Sequence, residues 1–353
     1  MKILHVITLS ELGGAQSVII NLARKSVEDN HEVMVVSSLN GDLWDALPKN
    51  IKTKRITALQ REVNLVMEWK VICELKIINQ EFKPDVIHLH SSKIGILGRL
   101  AFPSKKIIYT VHGFDSIRLA FRKFLFLEKL LQNRARFIVA VSKYDYNNLF
   151  AEGIKKNVKY IYNGIADFRL EIKNDDEKYK INSSGFTVLS IARLAAPKRF
   201  DIFCKTAEIL QNHAITFFWI GNKNQVTGLP VNVRCLGEIK DAHRLLAQAN
   251  LFVLLSDYEG MPMSILEALS YSVPVIASNV GGIPEVLDGI NGLTVTNEAQ
   301  DVADAILSFK NNAEKYEKAR KHARASYEAN FTIDKMYSQY LSLYKSILNN
   351  IEI

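Results

Sequence analysis

The sequence predicts an α/β protein built on two doubly wound parallel sheets. Its 353 residues exceed the size at which a single hydrophobic core stops growing, about 250 to 300 residues, so two domains are expected. Short apolar segments alternate with longer amphipathic segments in both halves of the chain, which indicates parallel strands joined by helices. Polar residues gather where the predicted strands end, as they do at the ligand-binding edge of such sheets.

The first half supplies the first of these sheets. Strands are predicted over 2–8, 32–38, 85–90, 106–110, 136–141 and 158–162. Helices are predicted over 15–27 and 64–80, from residue 93 onward, and over 117–136. These elements define an N-terminal domain, residues 1–166, which begins with a strand–helix–strand unit.

The second half repeats the alternation after a polar, charged stretch without periodicity, residues 167–184, which is predicted to be the linker. Strands are predicted over 186–191, 215–220, 231–236, 251–255, 273–277 and 293–295, and helices over 198–211 and 332–349. The C-terminal domain is therefore assigned to residues 185–331.

Charge is distributed unevenly between the halves. Residues 1–165 contain 25 Lys and Arg against 15 Asp and Glu, whereas the remainder contains 20 against 22. This asymmetry indicates an anionic partner for the first domain, either nucleic acid or a membrane surface. Nucleic acid is disfavoured because the basic residues are interleaved with aliphatic ones and no recognised binding module is present.

Two further features set expectations for the compartment. The N-terminal apolar segment is too short for a signal peptide, and no apolar, uncharged stretch is long enough to span a bilayer. We therefore expect a cytoplasmic protein. Cys73, Cys204 and Cys235 are odd in number and far apart, which predicts reduced core thiols instead of a disulfide framework or a zinc site.

A helix start flanked by two acidic residues follows the strand predicted at 251–255. Gly260 allows a tight turn and Pro262 suits a first helical turn, so unpaired N–H groups there can bind phosphate. Glu259 precedes this start and Glu267 follows it. Because carboxylates repel phosphate, the two glutamates make chemical sense as acceptors for hydroxyl groups on either side of it. Taken alone, two glutamates at this spacing are more often one capping acid and one solvated acid.

Two cations follow the strand predicted at 186–191. Arg193 lies just after the strand and Lys198 lies five residues further on, at a predicted helix start. Both side chains could therefore reach one diphosphate, although an Arg and a Lys near a loop are usually solvated.

These motifs resemble those of the retaining GT-B glycosyltransferases of family 4. Glu259 and Glu267 match the family's E-x7-E element, and Arg193 and Lys198 match its R-x4-K pair. The resemblance implies two Rossmann-like domains with parallel sheets facing a central cleft and a C-terminal helix, 332–353, that crosses back to the N-terminal domain. It also implies that Glu259 contacts the donor sugar, that Glu267 contacts the ribose diol, and that the two cations neutralise the leaving diphosphate.

The resemblance extends to the first domain. His112, in Thr-Val-His-Gly, resembles a family histidine that contacts the donor sugar or its acceptor, although a single histidine is usually structural. Gly13 and Gly14 correspond to a glycine loop that faces the donor phosphates, although a glycine pair alone is more often a turn. The predicted catalytic residues are Arg193, Lys198, Glu259 and His112. The predicted donor-binding residues are Gly13, Gly14, Asn163, Gly260, Met261, Met263, Ser264, Ile265 and Glu267.

We expect the enzyme to need no metal and no cofactor. No Asp-x-Asp motif occurs in the sequence, which is consistent with cationic side chains in place of a metal ion. His88 and His90, two residues apart in one predicted strand, are expected to project to opposite sides of the sheet and therefore not to share an ion.

The predicted helix 117–136 has two apolar stripes. Its core face is predicted to contain Ile117, Ala120, Phe121, Phe124, Leu127 and Leu131. The opposite stripe contains Leu119, Phe126 and Leu130, bordered by Arg118, Arg122, Lys123 and Lys129. Exposed apolar side chains flanked by basic ones are typical of a helix that lies on anionic lipid. A helix buried on both sides is the alternative.

The sequence therefore predicts transfer, with retention, of a hexose or N-acetylhexosamine from a UDP- or GDP-sugar. The expected acceptor is a polyprenyl-diphosphate-linked saccharide at the cytoplasmic face of the inner membrane, in O-antigen or capsule biosynthesis. A nucleotide-sugar epimerase of the same fold and a catalytically silent nucleotide-sugar-binding protein remain alternatives. The E-x7-E and R-x4-K elements favour transfer.

Overall fold

A computed structural model describes residues 1–171, 179–182 and 185–349 of the chain. Its residues form two compact units. One consists of Met1–Gly164 with the C-terminal helix that begins at Ile333, and the other is Ile165–Thr332. Residues 172–178 and 183–184, within the predicted linker, lie outside the described residues.

The first unit is a seven-stranded, fully parallel sheet with helices between the strands. Its strands are β1 (Lys2–Ile7), β2 (Glu32–Ser37), β3 (Lys52–Arg55), β4 (Val86–His90), β5 (Ile107–Val111), β6 (Phe137–Ala140) and β7 (Val158–Tyr160). Its helices before residue 165 are α1 (Gly14–Glu28), α2 (Leu43–Ala46), α3 (Leu65–Phe82), α4 (Ser92–Ala101), α5 (Leu125–Leu130) and α6 (Lys143–Ala151). The strand order is β3-β2-β1-β4-β5-β6-β7, so the direction of winding reverses between β1 and β4.

The second unit repeats this topology with a six-stranded parallel sheet. Its strands are β8 (Phe186–Ile191), β9 (Ile215–Ile220), β10 (Val233–Cys235), β11 (Leu251–Leu254), β12 (Val275–Ser278) and β13 (Gly292–Val295). Its helices are α7 (Phe200–Ile209), α8 (Met263–Ser270), α9 (Ala299–Lys310) and α10 (Ala313–Asn330). The order β10-β9-β8-β11-β12-β13 places the reversal between β8 and β11. Crevices at such reversals, at the carboxyl ends of the strands, are where ligands bind in open α/β sheets.

The last described helix, α11 (Ile333–Asn349), belongs to the first unit. Its tyrosines pack on that unit: the hydroxyl of Tyr344 lies 2.8 Å from Nδ1 of His88, and Tyr337 donates to Asp29 at 2.8 Å. Tyr340 and Tyr344 are fully buried. The predicted return of the chain to its first half is therefore confirmed.

The strands predicted from apolar runs are confirmed to within two residues at each end. The strand β3 was not predicted, because its sequence Lys-Thr-Lys-Arg is exposed throughout and carries no apolar signal. The three cysteines are free, but each is only half-buried, so the prediction of core thiols is wrong in its placement. Among the described residues no helix is long and apolar enough to cross a bilayer.

The prediction of one helix over 117–136 is wrong. The segment consists of a π-helical turn (Ser116–Ala120), a 3-10 turn (Arg122–Phe124), the short helix α5 and a second 3-10 turn (Gln132–Arg134). Its predicted core face is interrupted accordingly, since Ala120 and Phe121 are exposed.

A buried ion pair explains how this segment faces the core. Arg99 in α4 is completely buried, and it donates to Glu128 at 2.5 Å. Tyr109 also donates to Glu128, at 3.2 Å. A buried guanidinium without a carboxylate partner would be strongly destabilising, so α5 turns Glu128 inward together with Leu125. The predicted core face of this segment was assigned from its apolar residues alone, so the inward position of Glu128 was not predicted.

Candidate active site

The loops that follow β8 and β11 are joined at the point where the second sheet reverses. Arg199 donates its backbone N–H to Leu255 at 2.9 Å, and Asp257 donates to Pro197 at 2.9 Å. Lys198 and Ser256 form an isolated antiparallel bridge between these two hydrogen bonds. The backbone therefore brings residues about 60 positions apart in sequence to the same spot at the carboxyl edge of the sheet.

Glu259 lies at the centre of this junction. Its Oε1 accepts from the ammonium of Lys198 and from the hydroxyl of Ser256, the latter at 2.6 Å. The side chains of Lys198 and Glu259 are mostly buried, at 18% and 14% exposed. In the described part of the chain, Oε2 of Glu259 has no hydrogen-bond partner. An ammonium has three donors, so Lys198 retains two N–H groups and Glu259 one oxygen for a ligand.

Gly281 supports the turn that carries Glu259. Its φ is +58°, and a Cβ there would lie 1.8 Å from the carbonyl oxygen of Glu259. The next residue, Gly282, donates to the carbonyl of Gly260 at 2.9 Å. Only glycine combines this left-handed backbone with so close an approach.

A second set of hydrogen bonds holds the start of the same loop. Ser256 donates its backbone N–H to the hydroxyl of Ser278 at 2.8 Å, and that hydroxyl donates to Asn297 at 2.6 Å. Asn297 in turn donates to the carbonyl of Ser256 at 3.0 Å. This closed ring ties the loop after β11 to the ends of β12 and β13, so that Glu259 rests on a rigid base.

The helix α8 begins beside this turn with its N-terminus uncapped by any side chain. The backbone N–H groups of its first turn have no acceptor within the helix, and the helix dipole places partial positive charge there. Glu267, the fifth residue of α8, is half-buried. Burial raises the pKa of Glu267 from 4.5 to about 7.

The other predicted donor-binding residues around α8 have different environments. Met261, Met263 and Ile265 are buried in the core of the second unit, so their backbone and not their side chains can face a ligand. Ser264 is half-buried in the first turn.

Arg193 projects from the loop after β8 and is exposed. Among the residues that the structure describes, its guanidinium makes no ion pair and no hydrogen bond. The loop is held close to the neighbouring one by Gly221, whose φ is +113° and whose Cβ would lie 2.5 Å from the carbonyl of Ala192. Arg193 is thus a cation available to an anion at the same sheet edge as Lys198.

In the first unit, the predicted glycine loop follows β1. Gly13 and Gly14 are exposed, and Gly13 caps α1 with extended backbone, so its conformation does not itself require glycine. Asn163 is buried after β7.

His112 follows β5 and is half-buried. Its Nε2 lies 3.0 Å from Nδ1 of His90. Gly113 has a φ of +100°, and the next N–H, from Phe114, donates to buried Asp145 at 2.9 Å. Asp145 therefore holds the turn that presents His112. Burial lowers the pKa of His112 to about 4, so the ring is neutral at pH 7.

The expectation that His88 and His90 point to opposite sides is wrong. Side chains two residues apart in a strand share a face, and the two rings lie 4.0 Å apart between centroids. With His5 from β1 they form a fully buried cluster. One nitrogen of each ring lies within 4.8 Å of the others, a spacing that a shared metal ion would need.

The hydrogen bonds of this cluster argue against a shared ion. His88 uses one nitrogen on Tyr344 and the other on Thr110, at 2.8 and 2.7 Å. His90 uses its two nitrogens on His5 and His112, at 3.1 and 3.0 Å. A metal would have to displace these bonds, because Nε2 of His5 is the only nitrogen of the three rings without a partner among the described residues.

The predicted lipid-facing residues lie on the surface of the first unit. Leu119, Phe126 and Leu130 are 54%, 63% and 70% exposed. Three of the four basic residues beside them are paired within the unit. Arg118 binds Asp115 at 2.8 Å, and Arg122 and Lys129 both bind Glu152, at 3.0 and 3.2 Å. Lys123 lies over the ring of Phe124, 5.2 Å from its centroid.

Three residues that contact the predicted site residues were not themselves predicted as part of a site. Ser256 lies three residues before Glu259, and its contact with Glu259 depends on the geometry of the intervening turn. Asp145 is an acid inside a helix, and nothing local relates it to His112. His5 lies in an apolar strand, where an isolated polar residue was the available signal.

Comparisons with known proteins match both halves of the chain to glycosyltransferase families. The family described as Glycosyltransferase Family 4 matches residues 12–167, and the family described as Glycosyl transferases group 1 matches residues 185–312. An Escherichia coli UDP-Gal:alpha-D-GlcNAc-diphosphoundecaprenol alpha-1,3-galactosyltransferase is 28% identical, with 80% of each chain covered. The Escherichia coli O-antigen biosynthesis glycosyltransferase WbnH is 27% identical, with 97% of this chain and 98% of the relative covered.

A solved structure extends the comparison to the fold. The Anabaena protein Alr3699/HepE in complex with UDP-glucose superposes with a TM-score of 0.82 at 22% identity, covering 98% of this chain and 100% of that one. The two family matches fall on the two halves of the chain, and each half has the expected parallel sheet. The chain therefore belongs to the glycosyltransferases of family 4 and has their GT-B fold.

Proposed function

We propose that this glycosyltransferase transfers a hexose or N-acetylhexosamine, with retention and without a metal ion, from a UDP- or GDP-sugar to a polyprenyl-diphosphate-linked saccharide. The pathway would be O-antigen or capsule biosynthesis. The observation that carries the proposal is the junction of Lys198, Ser256 and Glu259 beside the N-terminus of α8. It combines cationic donors with a carboxylate at one sheet edge.

The junction suits the charges of the reaction. As the bond between the sugar C1 and the diphosphate oxygen breaks, negative charge grows on the leaving group. Lys198, Arg193 and the first N–H groups of α8 would stabilise it electrostatically. The acceptor oxygen would bond to C1 on the same face, and its proton would pass to an oxygen of the departing phosphate. The free Oε2 of Glu259 would accept from a sugar hydroxyl, and Glu267 from the ribose diol.

Three observations support the acceptor class. The Escherichia coli galactosyltransferase reported above is named for a diphosphoundecaprenol-linked acceptor, and the first half of this chain carries the excess of basic residues. The first unit also exposes apolar side chains at two places: Leu119, Phe126 and Leu130, and, at the start of α3, Leu65, Val66 and Trp69. Apolar groups on a basic unit suit the surface of an anionic membrane.

A transfer assay tests the reaction. Purified protein would be incubated with UDP- or GDP-hexoses and a short polyprenyl-diphosphate-linked GlcNAc, with and without EDTA. We expect nucleotide diphosphate release that depends on the acceptor and resists EDTA, and an NMR spectrum showing the donor's anomeric configuration in the product. Inversion at C1, loss of activity in EDTA that Mg²⁺ restores, or epimerised donor without transfer would each contradict a part of the proposal.

Membrane docking has a separate test. The double variant Phe126→Glu, Lys123→Glu should reduce co-sedimentation with vesicles containing anionic lipid, because it removes apolar area and reverses charge. Val231→Glu, at an exposed apolar residue of the second unit, is the control for an acidic group placed on another surface and should bind as the wild type does. Unchanged sedimentation of the double variant would exclude this surface from docking.

A further inference from the structure

Three histidine rings of the first unit form a continuous chain of contacts. Nδ1 of His5 lies 3.1 Å from Nε2 of His90, and Nδ1 of His90 lies 3.0 Å from Nε2 of His112. His5 and His90 are fully buried, whereas His112 reaches the carboxyl edge of the sheet. These hydrogen bonds therefore connect the buried core to His112, whose position at the sheet edge allows it to contact a ligand.

The middle ring couples the protonation of the other two. Burial holds the pKa of His90 well below its ordinary value, so this ring is neutral at pH 7. A neutral imidazole has one donor nitrogen and one acceptor nitrogen. If Nε2 of His90 accepts from His5, then Nδ1 of His90 must donate to His112, and the reverse also holds. Only two arrangements of protons satisfy both contacts.

The environment of His5, at the buried end of this row of histidines, distinguishes the two arrangements. Nε2 of His5 is buried and has no partner in the described chain. If His90 donated to His5, the proton of His5 would sit on this Nε2 as a buried donor without an acceptor. If His5 donates from Nδ1, only a lone pair is left there. Orphaned buried N–H groups are the rarer and more costly case, so the second arrangement is favoured.

We propose that His5 and His90 are positioning residues that hold His112 in its Nδ1–H tautomer. In this arrangement Nε2 of His112 accepts from His90, and Nδ1–H is turned to the ligand side as a donor. Among the residues described, Nδ1 of His112 has no hydrogen-bond partner. A neutral N–H donor suits a sugar hydroxyl or ring oxygen and does not suit a cationic group. This role rests on the proposed function only in that the ligand is a sugar.

The tautomer can be read without any substrate. Full-length protein labelled with ¹⁵N-histidine would be examined at pH 7 by long-range ¹H–¹⁵N correlation, with His112 assigned by its disappearance in His112→Gln. We expect a protonated-type signal for Nδ1 of His112 and an unprotonated-type signal for Nε2. The opposite pattern would overturn the proposal.

Variants of His5 separate positioning from packing. Asn places an amide N–H near the former Nδ1, so His5→Asn should keep the tautomer and a kcat/KM within about twofold of wild type. His5→Leu removes the donor, and the His112 signals should become those of mixed tautomers while kcat/KM falls about fivefold, the size of one hydrogen bond. An unchanged spectrum in His5→Leu would contradict the proposal.

His88→Leu is the matched control. His88 is as buried as His5 and belongs to the same cluster. Its nitrogens contact Tyr344 and Thr110, however, so His88 takes no part in the hydrogen bonds that link His5, His90 and His112. Its loss should lower the melting temperature and leave the His112 tautomer unchanged. A changed tautomer in this variant would contradict the proposal, since packing alone would then account for the His5 effect. The expected tautomer in a protein without transfer activity would support the positioning role and count against the proposed function.

Discussion

The first six strands of the first sheet have the same order as the six strands of the second, yet the carboxyl edges of the two sheets differ in their chemistry. At the reversal point of the second unit, Lys198, Glu259 and the exposed Arg193 place fixed charges around the start of α8. At the corresponding edge of the first unit, His112 is hydrogen-bonded to a neutral cluster of buried histidines, His5, His88 and His90. The fold therefore determines where a ligand binds, whereas the side chains determine its charge. The second unit suits a diphosphate, and the first suits uncharged hydroxyl groups.

The largest effect expected from this contrast is the loss of Lys198. In Lys198→Ala we expect kcat to fall about 10²- to 10³-fold, as for the removal of one donor that stabilises transition-state charge. The KM for the donor should change far less, because the growing charge on the leaving group is larger than that of the bound substrate. Steady-state kinetics would show this, with Lys205→Ala, at an exposed lysine of α7, as control. An unchanged kcat would remove Lys198 from the mechanism.

The neutral edge should make the first unit sensitive to acid. Burial lowers the pKa of His5 from 6.5 to about 3 and holds those of His88 and His90 well below 6.5. Because the unfolded chain binds these protons at higher pH than the folded chain does, stability is lost as pH falls below about 6.5. For His5 the loss at pH 4.5 is roughly 2 to 3 kcal/mol. Unfolding curves at pH 7.5 and 4.5 measure the loss.

Proteolysis followed by mass spectrometry at pH 4.5 would locate this loss. Cleavage should begin within residues 1–164 and not in the second unit, and His5→Asn should show a shallower dependence of stability on pH. Cleavage that begins in the second unit would contradict the assignment.

In the second unit, one carboxyl group should make stability fall as pH rises, which is the opposite of the dependence expected for the buried histidines. The folded pKa of Glu267 is raised from 4.5 to about 7, so the folded state binds the proton more tightly and stability falls as pH rises between these values. Glu267→Gln cannot lose this proton. Between pH 4 and a pH above 7, the stability of the variant minus that of wild type should therefore increase by on the order of 3 kcal/mol. Thermal unfolding of both proteins from pH 4 to pH 8 tests this. A difference independent of pH would show that Glu267 is not desolvated.

Much of the fold could be predicted from local sequence. The strands β8 and β9 are unbroken apolar runs, and their predicted bounds match the structure. The segment 117–136 was mistaken for one helix because its geometry depends on Arg99, a residue in another helix that needs Glu128 as its partner. Distant partners of this kind leave no periodic signal.

The candidate sites show the same division. The glutamate and arginine–lysine motifs lie at the carboxyl edge of the second sheet, where strand ends place them. Their mutual contact, however, joins Lys198 to a residue 61 positions away, and only the strand order β8–β11 makes these loops neighbours. In the first unit, the period of a strand was sufficient to place His88 and His90 on one face, but the participation of His5 required the pairing of β1 with β4.

A crystal structure with UDP bound would test the assignment of charge to the second unit most directly. We predict phosphate oxygens within hydrogen-bond distance of Lys198 and of the first N–H groups of α8, with the ribose hydroxyls donating to Glu267. A diphosphate bound elsewhere, with Glu267 not contacting the ribose, would contradict the account.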